Sequence, residues 1–234
     1  MTENKIISIA NLTKKYGKTI ALNDFSISLE KGKIVGLLGP NGSGKTTMIK
    51  ILNGLLKDYS GEVLIDGHGV GKYSKSIISY LPDVSYIPTW MKVNDIIKMF
   101  EEMYQDFDTK KCYTILDRLN ILPTMKVSEM SKGTKEKLQL ALVMARKAKI
   151  YILDEPIGGV DPAARDLIIQ VILDNYDPDS LILFSTHLIA DIEKIFDEVI
   201  FIKNGELILH QECEKLRNDH HKSIDEIFRE VFKC

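Results

Sequence analysis

Residues 34–52 read Ile-Val-Gly-Leu-Leu-Gly-Pro-Asn-Gly-Ser-Gly-Lys-Thr-Thr-Met-Ile-Lys-Ile-Leu. A short apolar run suited to a buried parallel strand leads into a glycine-rich loop, and the loop leads into the first turns of a helix. The loop, Gly39, Pro40, Asn41, Gly42, Ser43, Gly44, Lys45, Thr46 and Thr47, matches G-x-x-x-x-G-K-[ST] in its letters and in its strand–loop–helix setting. Glycines let backbone N–H groups approach phosphates unobstructed, and a helix N-terminus adds partial positive charge. Lys45 is placed to reach β- and γ-phosphates, and the Thr46 hydroxyl to ligate Mg²⁺. The pattern implies a nucleoside triphosphate as ligand.

Outward from this loop the pattern is α/β. Upstream, residues 6–12, 19–22 and 25–29 alternate as antiparallel strands, with turns expected at Asn23-Asp24 and Lys31-Gly32. Residues 62–66 form another strand candidate. Residues 93–104 and 109–119 have helical spacing, with Asn94 and Thr109 as candidate caps, and 135–147 reads as an amphipathic helix with Leu138, Leu142 and Ala145 on one side, all inside a helical insertion spanning roughly 84–147. Residues 151–153 and 181–184 are buried-strand runs, and Asn204-Gly205 predicts a hairpin between 199–202 and 207–209. Ser223 and Glu226 make a capping box for an amphipathic segment, 223–234, expected to pack on its own domain.

The chain has 234 residues and a formal net charge of −2, a balance that argues against sequence-independent nucleic-acid binding. Cys112, Cys213 and Cys234 are too few and too scattered for a disulfide framework or zinc site, which favours a reducing cytosol. The first residues lack the basic and apolar regions of a signal peptide, and no apolar run is long enough to span a bilayer.

Residues 151–156, Tyr-Ile-Leu-Asp-Glu-Pro, end a buried strand in two carboxylates. Carboxyl ends of parallel strands face the crevice where open α/β sheets bind ligands. Asp154 is thus placed to hold Mg²⁺, and Glu155 to take a proton from, or orient, water attacking a γ-phosphate. His187 follows the run 181–184 in Ser-Thr-His. His68, His210, His220 and His221 have no metal-ligand spacing.

Taken in order, Tyr16, residues 39–47, Asp83, residues 130–134, Asp154-Glu155, Asp161 and His187 resemble the nucleotide-binding subunits of ATP-binding cassette transporters, over nearly the whole chain. The resemblance implies a single cassette domain over 1–234 with a P-loop NTPase core, a mostly parallel central sheet, an N-terminal antiparallel β subdomain and an inserted helical subdomain. It further implies ATP and Mg²⁺ as ligands. Tyr16 would stack on adenine, His187 would sense the γ-phosphate, and Asp161 would couple two sites. Met130-Ser131-Lys132-Gly133-Thr134 resembles the family signature, so Ser131, Lys132 and Gly133 would meet ATP held by a second copy in a head-to-tail homodimer. Separate integral membrane subunits would dock near residues 80–92, where Tyr86, Trp90 and Met91 are anchor-type residues. The protein would then sit in the cytoplasm, peripheral on the cell membrane, exporting peptides, drugs or other amphiphiles.

Two motifs depart from the family pattern, at three positions. Asp83 replaces the usual glutamine, which keeps an oxygen ligand on a shorter, charged arm; Lys132 and Thr134 replace a signature glycine and glutamine. The alternative is a soluble cassette ATPase acting on ribosomes, nucleic acid or repair complexes. Such proteins usually carry two cassettes or a long coiled coil, and neither is seen here. A GTPase would need a guanine-reading Asn-Lys-x-Asp, which the sequence lacks.

Overall fold

The computed structural model describes residues 4–233; residues 1–3 and Cys234, on which the signal-peptide and cysteine expectations partly fall, lie outside the described residues. The chain opens with β1 (Lys5–Tyr16), β2 (Thr19–Glu30) and β3 (Ile34–Leu38), then α1 (Lys45–Leu52), β4 (Ser60–Ile65) and β5 (His68–Gly69). There follow α2 (Lys72–Ile77), β6 (Ile78–Leu81), α3 (Val93–Met103), α4 (Thr109–Arg118) and α5 (Lys132–Met144). The rest comprises β7 (Ile150–Asp154), α6 (Pro162–Asn175), β8 (Leu181–Ser185), α7 (Ile189–Ile192), β9 (Glu198–Lys203), β10 (Glu206–Glu212), α8 (Cys213–His220) and α9 (Ile224–Phe232).

Two sheets result. The first is antiparallel, in the order β2-β1-β4-β5; the second runs β10-β9-β3-β8-β7-β6 and is parallel except for β10. Every residue of β3, β7 and β8 is buried, because both faces of the second sheet are covered. Strand alternation divides their side chains between two cores. Ile150, Ile152, Leu181 and Leu183 join α1 and the first sheet; Tyr151, Leu153, Ile182 and Phe184 join the layer that includes α5 and α6. The fold is α/β with a mostly parallel central sheet, as expected from the sequence.

Several local expectations are revised. Asn23-Asp24 is not a turn between two strands but a bulge inside β2. Asp24 takes φ 48° opposite Asn11 at φ 52°, and the β1–β2 register shifts around Leu12. Asn and Asp tolerate this left-handed region, and here Asn11 Nδ2 donates to Asp24 Oδ1 at 2.8 Å, so the ladder resumes instead of ending. The bulge also meets the β9–β10 hairpin, where the Asn23 amide donates to the Gly205 carbonyl at 3.0 Å. That hairpin turns at Asn204 and Gly205, φ 51° and 80°, as Asn-Gly demands.

Helix caps shift by one or two residues. Lys92 caps α3 and the Asp108 carboxylate caps α4, accepting from Lys111 N at 3.0 Å; Asn94 and Thr109 lie inside their helices. Helix α5 starts at Lys132, and from Leu138 to Met144 it is buried on every side rather than amphipathic, since the helix runs between the sheet and the neighbouring helices. The Ser223 capping box forms as expected, and α9 lays Phe228 edge-on to Phe201 at 5.5 Å between ring centroids, so it packs on its own chain.

Between α5 and β7 sits Arg146, whose side chain is 4% exposed. Its guanidinium forks onto Asp106 at 3.0 and 3.0 Å, donates to the carbonyls of Ile78 (2.6 Å) and Ser76 (2.7 Å), and lies 4.0 Å from the Tyr104 ring centre. One side chain therefore ties the α3–α4 connection to the start of β6.

Candidate functional site

The carboxyl ends of β3, β6, β7 and β8 open onto one crevice. Strand order decides this: β8 lies between β3, which carries the glycine loop, and β7, which carries Asp154. The loop closes over the end of β3 and turns into α1 through Gly44, whose φ of 113° makes a side chain there strained; a Cβ would also stand 2.6 Å from the Ala21 carbonyl. No side chain caps α1, so among the described residues its first N–H groups are left to the crevice. Lys45 lies folded back in the loop, Nζ donating to the carbonyls of Gly39 (2.6 Å) and Pro40 (3.1 Å). Burial draws its pKa below the usual lysine range, against the pull of Glu155 and Asp154.

A cavity of about 560 Å³ is lined by residues 41–47 together with Asp83, Asp154, Glu155 and Ser185. A second, of about 280 Å³, shares Asn41, Asp83, Asp154 and Glu155 with it and adds Lys132, Glu136 and His187. Glu155 adopts φ 52°, a left-handed conformation costly for a glutamate, immediately after β7. Its amide donates to the Ser185 carbonyl at 2.8 Å, and its Oε2 receives His187 Nδ1 at 2.9 Å. Thus Lys45, Thr46, Asp83, Asp154, Glu155 and His187, spread over more than a hundred positions of the chain, converge on adjoining cavities.

Apart from Lys132, the other expected site residues do not reach these walls. Tyr16 is 48% exposed at the end of β1, with Lys14 Nζ 5.1 Å from its ring centre. Ser131 Oγ is spent on its own helix, accepting from Thr134 N at 3.2 Å. Around Gly133 there is open space, and Lys132 points to Glu136 at 3.7 Å. Asp161 caps α6, its Oδ1 accepting from Ala163 N at 3.1 Å, with Pro162 at the first helical position. Tyr16, Ser131, Lys132, Gly133 and Asp161 all lie at the surface of a single copy.

Whether the residues suit a phosphate chain and a divalent cation is answered by polar atoms left over. Among the described residues the Ser43 and Ser185 hydroxyls and one Glu136 carboxylate oxygen are buried without a hydrogen-bond partner, and the first two stand on the larger cavity. Together with the uncapped α1 and the buried Lys45, they make a polyanion cradle with carboxylates beside it. The donor set Thr46, Asp83 and Asp154 is all oxygen, which suits Mg²⁺ sharing its shell with phosphate. Burial pushes the Asp154 carboxyl up to about 6; the Ser185 hydroxyl beside it and Lys45 oppose the rise, while Glu155 and Asp83 add to it.

That shift has a measurable consequence for the nucleotide-free protein. Because the folded-state pKa is raised from 3.8 to about 6, the protein is destabilised as pH climbs between those values and carries the full cost above them. Asp154→Asn is expected to be more stable than wild type by about 3 kcal/mol at pH 7, with the gap closing toward pH ~4. Denaturant titrations at several pH values check this; a gap independent of pH would contradict it.

Sequence reasoning missed Ser185, Glu136 and Gln139. Glu136 packs its carboxylate on Gly159, where a Cβ would lie 2.5 Å from Oε1, and Gln139 is buried in the wall of the smaller cavity. Neither has a sequence signal, since packing of α5 against the segment after β7 creates the contact. Ser185 had a weak one, a hydroxyl ending an apolar run two residues before His187.

A nucleotide-binding cassette is the class this sheet and crevice define. A family model described as "ABC transporter" matches residues 22–158. The chain is 30% identical over 220 residues to the "ABC transporter ATP-binding protein YtrB" of Bacillus subtilis, covering 93% of this chain and 75% of that protein. It is also 30% identical over 218 residues to the "Lantibiotic transport ATP-binding protein SrtF" of Streptococcus pyogenes, covering 91% and 93%. In fold it matches the solved "ATP binding subunit of ABC transporter" with TM-score 0.88, at 22% identity and over 97% of this chain and 99% of that one. A nucleotide-free ATP-binding cassette from an ABC transporter matches with TM-score 0.75, at 23% identity, over 93% and 96%. This chain belongs to the ABC transporter family, as an ATP-binding subunit.

Proposed function

We propose that the chain hydrolyses ATP to power a membrane exporter of peptides or other amphiphiles whose membrane-spanning subunits are separate chains. The observation that carries this reading is the convergence of the glycine loop, Asp154, Glu155 and His187 on one crevice. The likeness to a subunit named for lantibiotic transport supports peptides as the cargo class. Among the described residues no helix is long and apolar enough to cross a membrane, in keeping with a subunit that works from the cytoplasmic face beside separate membrane chains. In this reading residues 1–234 are one cassette domain, with 84–147 as its helical insertion.

The loop N–H groups, Lys45 and the α1 N-terminus would hold the phosphates, and Thr46, Asp83 and Asp154 would ligate the cation. When bound, Mg²⁺ supplies positive charge against the charge developing on the phosphates. Glu155 would take the proton of the attacking water, held in place by His187, which would also face the γ-phosphate. Since Ser131, Lys132, Gly133 and Asp161 lie on the surface of a single copy, they would act on the site of a second, head-to-tail copy. Tyr16 would stack on the base. Positioning and electrostatics would supply most of the rate.

Docking is read from residues 84–92. Val84, Tyr86 and Trp90 are 74%, 46% and 78% exposed, whereas Met91 is 9% exposed and belongs to the core rather than to the anchor set. Large exposed aromatics beside a cation-ligating Asp83 suit a partner that senses the site. Tagged Glu155→Gln protein, extracted from native membranes in mild detergent, is expected to bring down a stoichiometric polytopic membrane protein. Trp90→Ala in the same background is expected to lose that partner while still binding ATP. Recovery of ribosomes, nucleic acid or only a soluble dimer, with a competent extraction control, would overturn the transporter assignment.

A further inference from the structure

Ser185 is the last residue of β8, and its two neighbours in the sheet are the two halves of the site. It registers with Leu37 of β3 on one side and with Asp154 of β7 on the other. The residue is 0% exposed and lines the cavity formed by the glycine loop. Its backbone is committed, because the carbonyl accepts from Glu155 N at 2.8 Å. Its hydroxyl is not: it lies beside the Asp154 carboxylate but meets full hydrogen-bond geometry with no group among the described residues. The other four residues of β8 are Leu-Ile-Leu-Phe, all buried, so an apolar residue would suit this strand end as well. A buried hydroxyl that lies beside a carboxylate without completing a hydrogen bond adds little to the stability of the folded chain, and alanine would remove it at small cost.

We infer that Ser185 is a positioning residue for the cation-bound nucleotide: its hydroxyl gives the hydrogen bond that sets the Asp154 carboxylate once a triphosphate and its divalent cation share the crevice. The inference rests on reading the crevice as a Mg²⁺–ATP site. A hydrogen bond to a charged acceptor has the strength to be read in binding, and a donor fixed by a central strand loses little freedom in making it. His187 lies two residues further along the same segment, and Glu155 is pinned to the Ser185 carbonyl, so the same strand end orients three groups of the site.

The test uses the purified full-length chain with Ser185→Ala and the hydroxyl-keeping Ser185→Thr. Two readouts are needed: the thermal unfolding midpoint without nucleotide, and equilibrium binding of a fluorescent ATP analogue in Mg²⁺ and in EDTA. Ser185→Ala is expected to keep a midpoint close to wild type, to weaken binding in Mg²⁺ about tenfold or more, and to leave binding in EDTA unchanged. Ser185→Thr is expected to keep the wild-type affinity in Mg²⁺. A midpoint lowered by many degrees for Ser185→Ala, an unchanged affinity in Mg²⁺, or equal losses in Mg²⁺ and EDTA would each overturn the inference, since a packing role predicts those results. Wild-type protein that binds no nucleotide in either condition would instead remove the Mg²⁺–ATP reading, and this inference with it.

Discussion

Glu155→Gln is expected to slow ATP turnover by ~100-fold or more while leaving ATP binding close to wild type. The geometry makes this a clean substitution. Glutamine has the size of glutamate, can take the same left-handed backbone, and can still accept from His187 through its amide oxygen. What it loses is the ability to take a proton from water. The variant is therefore expected to hold ATP and to accumulate as a dimer, because in the proposed head-to-tail arrangement unhydrolysed ATP stays between the two copies and holds them together. Phosphate release, nucleotide binding and mass in solution check the three parts separately. Turnover within a few-fold of wild type would remove Glu155 from the role of base and leave it the orienter of His187.

Arg146→Met is expected to destabilise the protein by about 3–5 kcal/mol, the cost of leaving a partly buried carboxylate and two backbone carbonyls without their donor. The substitution keeps the bulk of the side chain but leaves the Asp106 carboxylate and the carbonyls of Ser76 and Ile78 without their donors. For a chain of this length that corresponds to a fall of ~10 °C or more in unfolding midpoint. Arg146→Lys is expected to recover little, because an ammonium cannot fork onto a carboxylate and reach two carbonyls in one plane. Adding Asp106→Leu to Arg146→Met should return part of the loss, since the stranded charge goes with it. Denaturant midpoints of these variants, with Asp106→Leu alone to close the cycle, measure the coupling. A loss under 1 kcal/mol for Arg146→Met would mean that the α3–α4 connection is held by its apolar contacts alone.

Much of the candidate site was readable before any coordinates because its chemistry is local. A loop that cradles phosphate needs glycines, a lysine and a hydroxyl at set spacing, and a buried strand ending in Asp-Glu announces itself by contrast with its apolar run. Turn chemistry was equally direct at Asn204-Gly205 and at the Ser223 box. It misled at Asn23-Asp24, where the same residue types serve a bulge; only the partner strand, with Asn11 in a matching conformation, tells the two apart. It erred also at α5, where periodicity reads a helix with one wet face and packing from several directions leaves none in its second half.

The sequence by itself determined the glycine-rich loop, the paired carboxylates, the α/β class and the residues proposed for catalysis, because each depends on neighbours a few positions apart. Only the tertiary structure decided that β8 lies between β3 and β7, that the Ser185 hydroxyl is left unpaired beside Asp154, and that Arg146 joins the helices to β6. Those outcomes depend on strand order and on burial. Both are set by how two cores close around one sheet, a balance over the whole chain that no window of sequence contains.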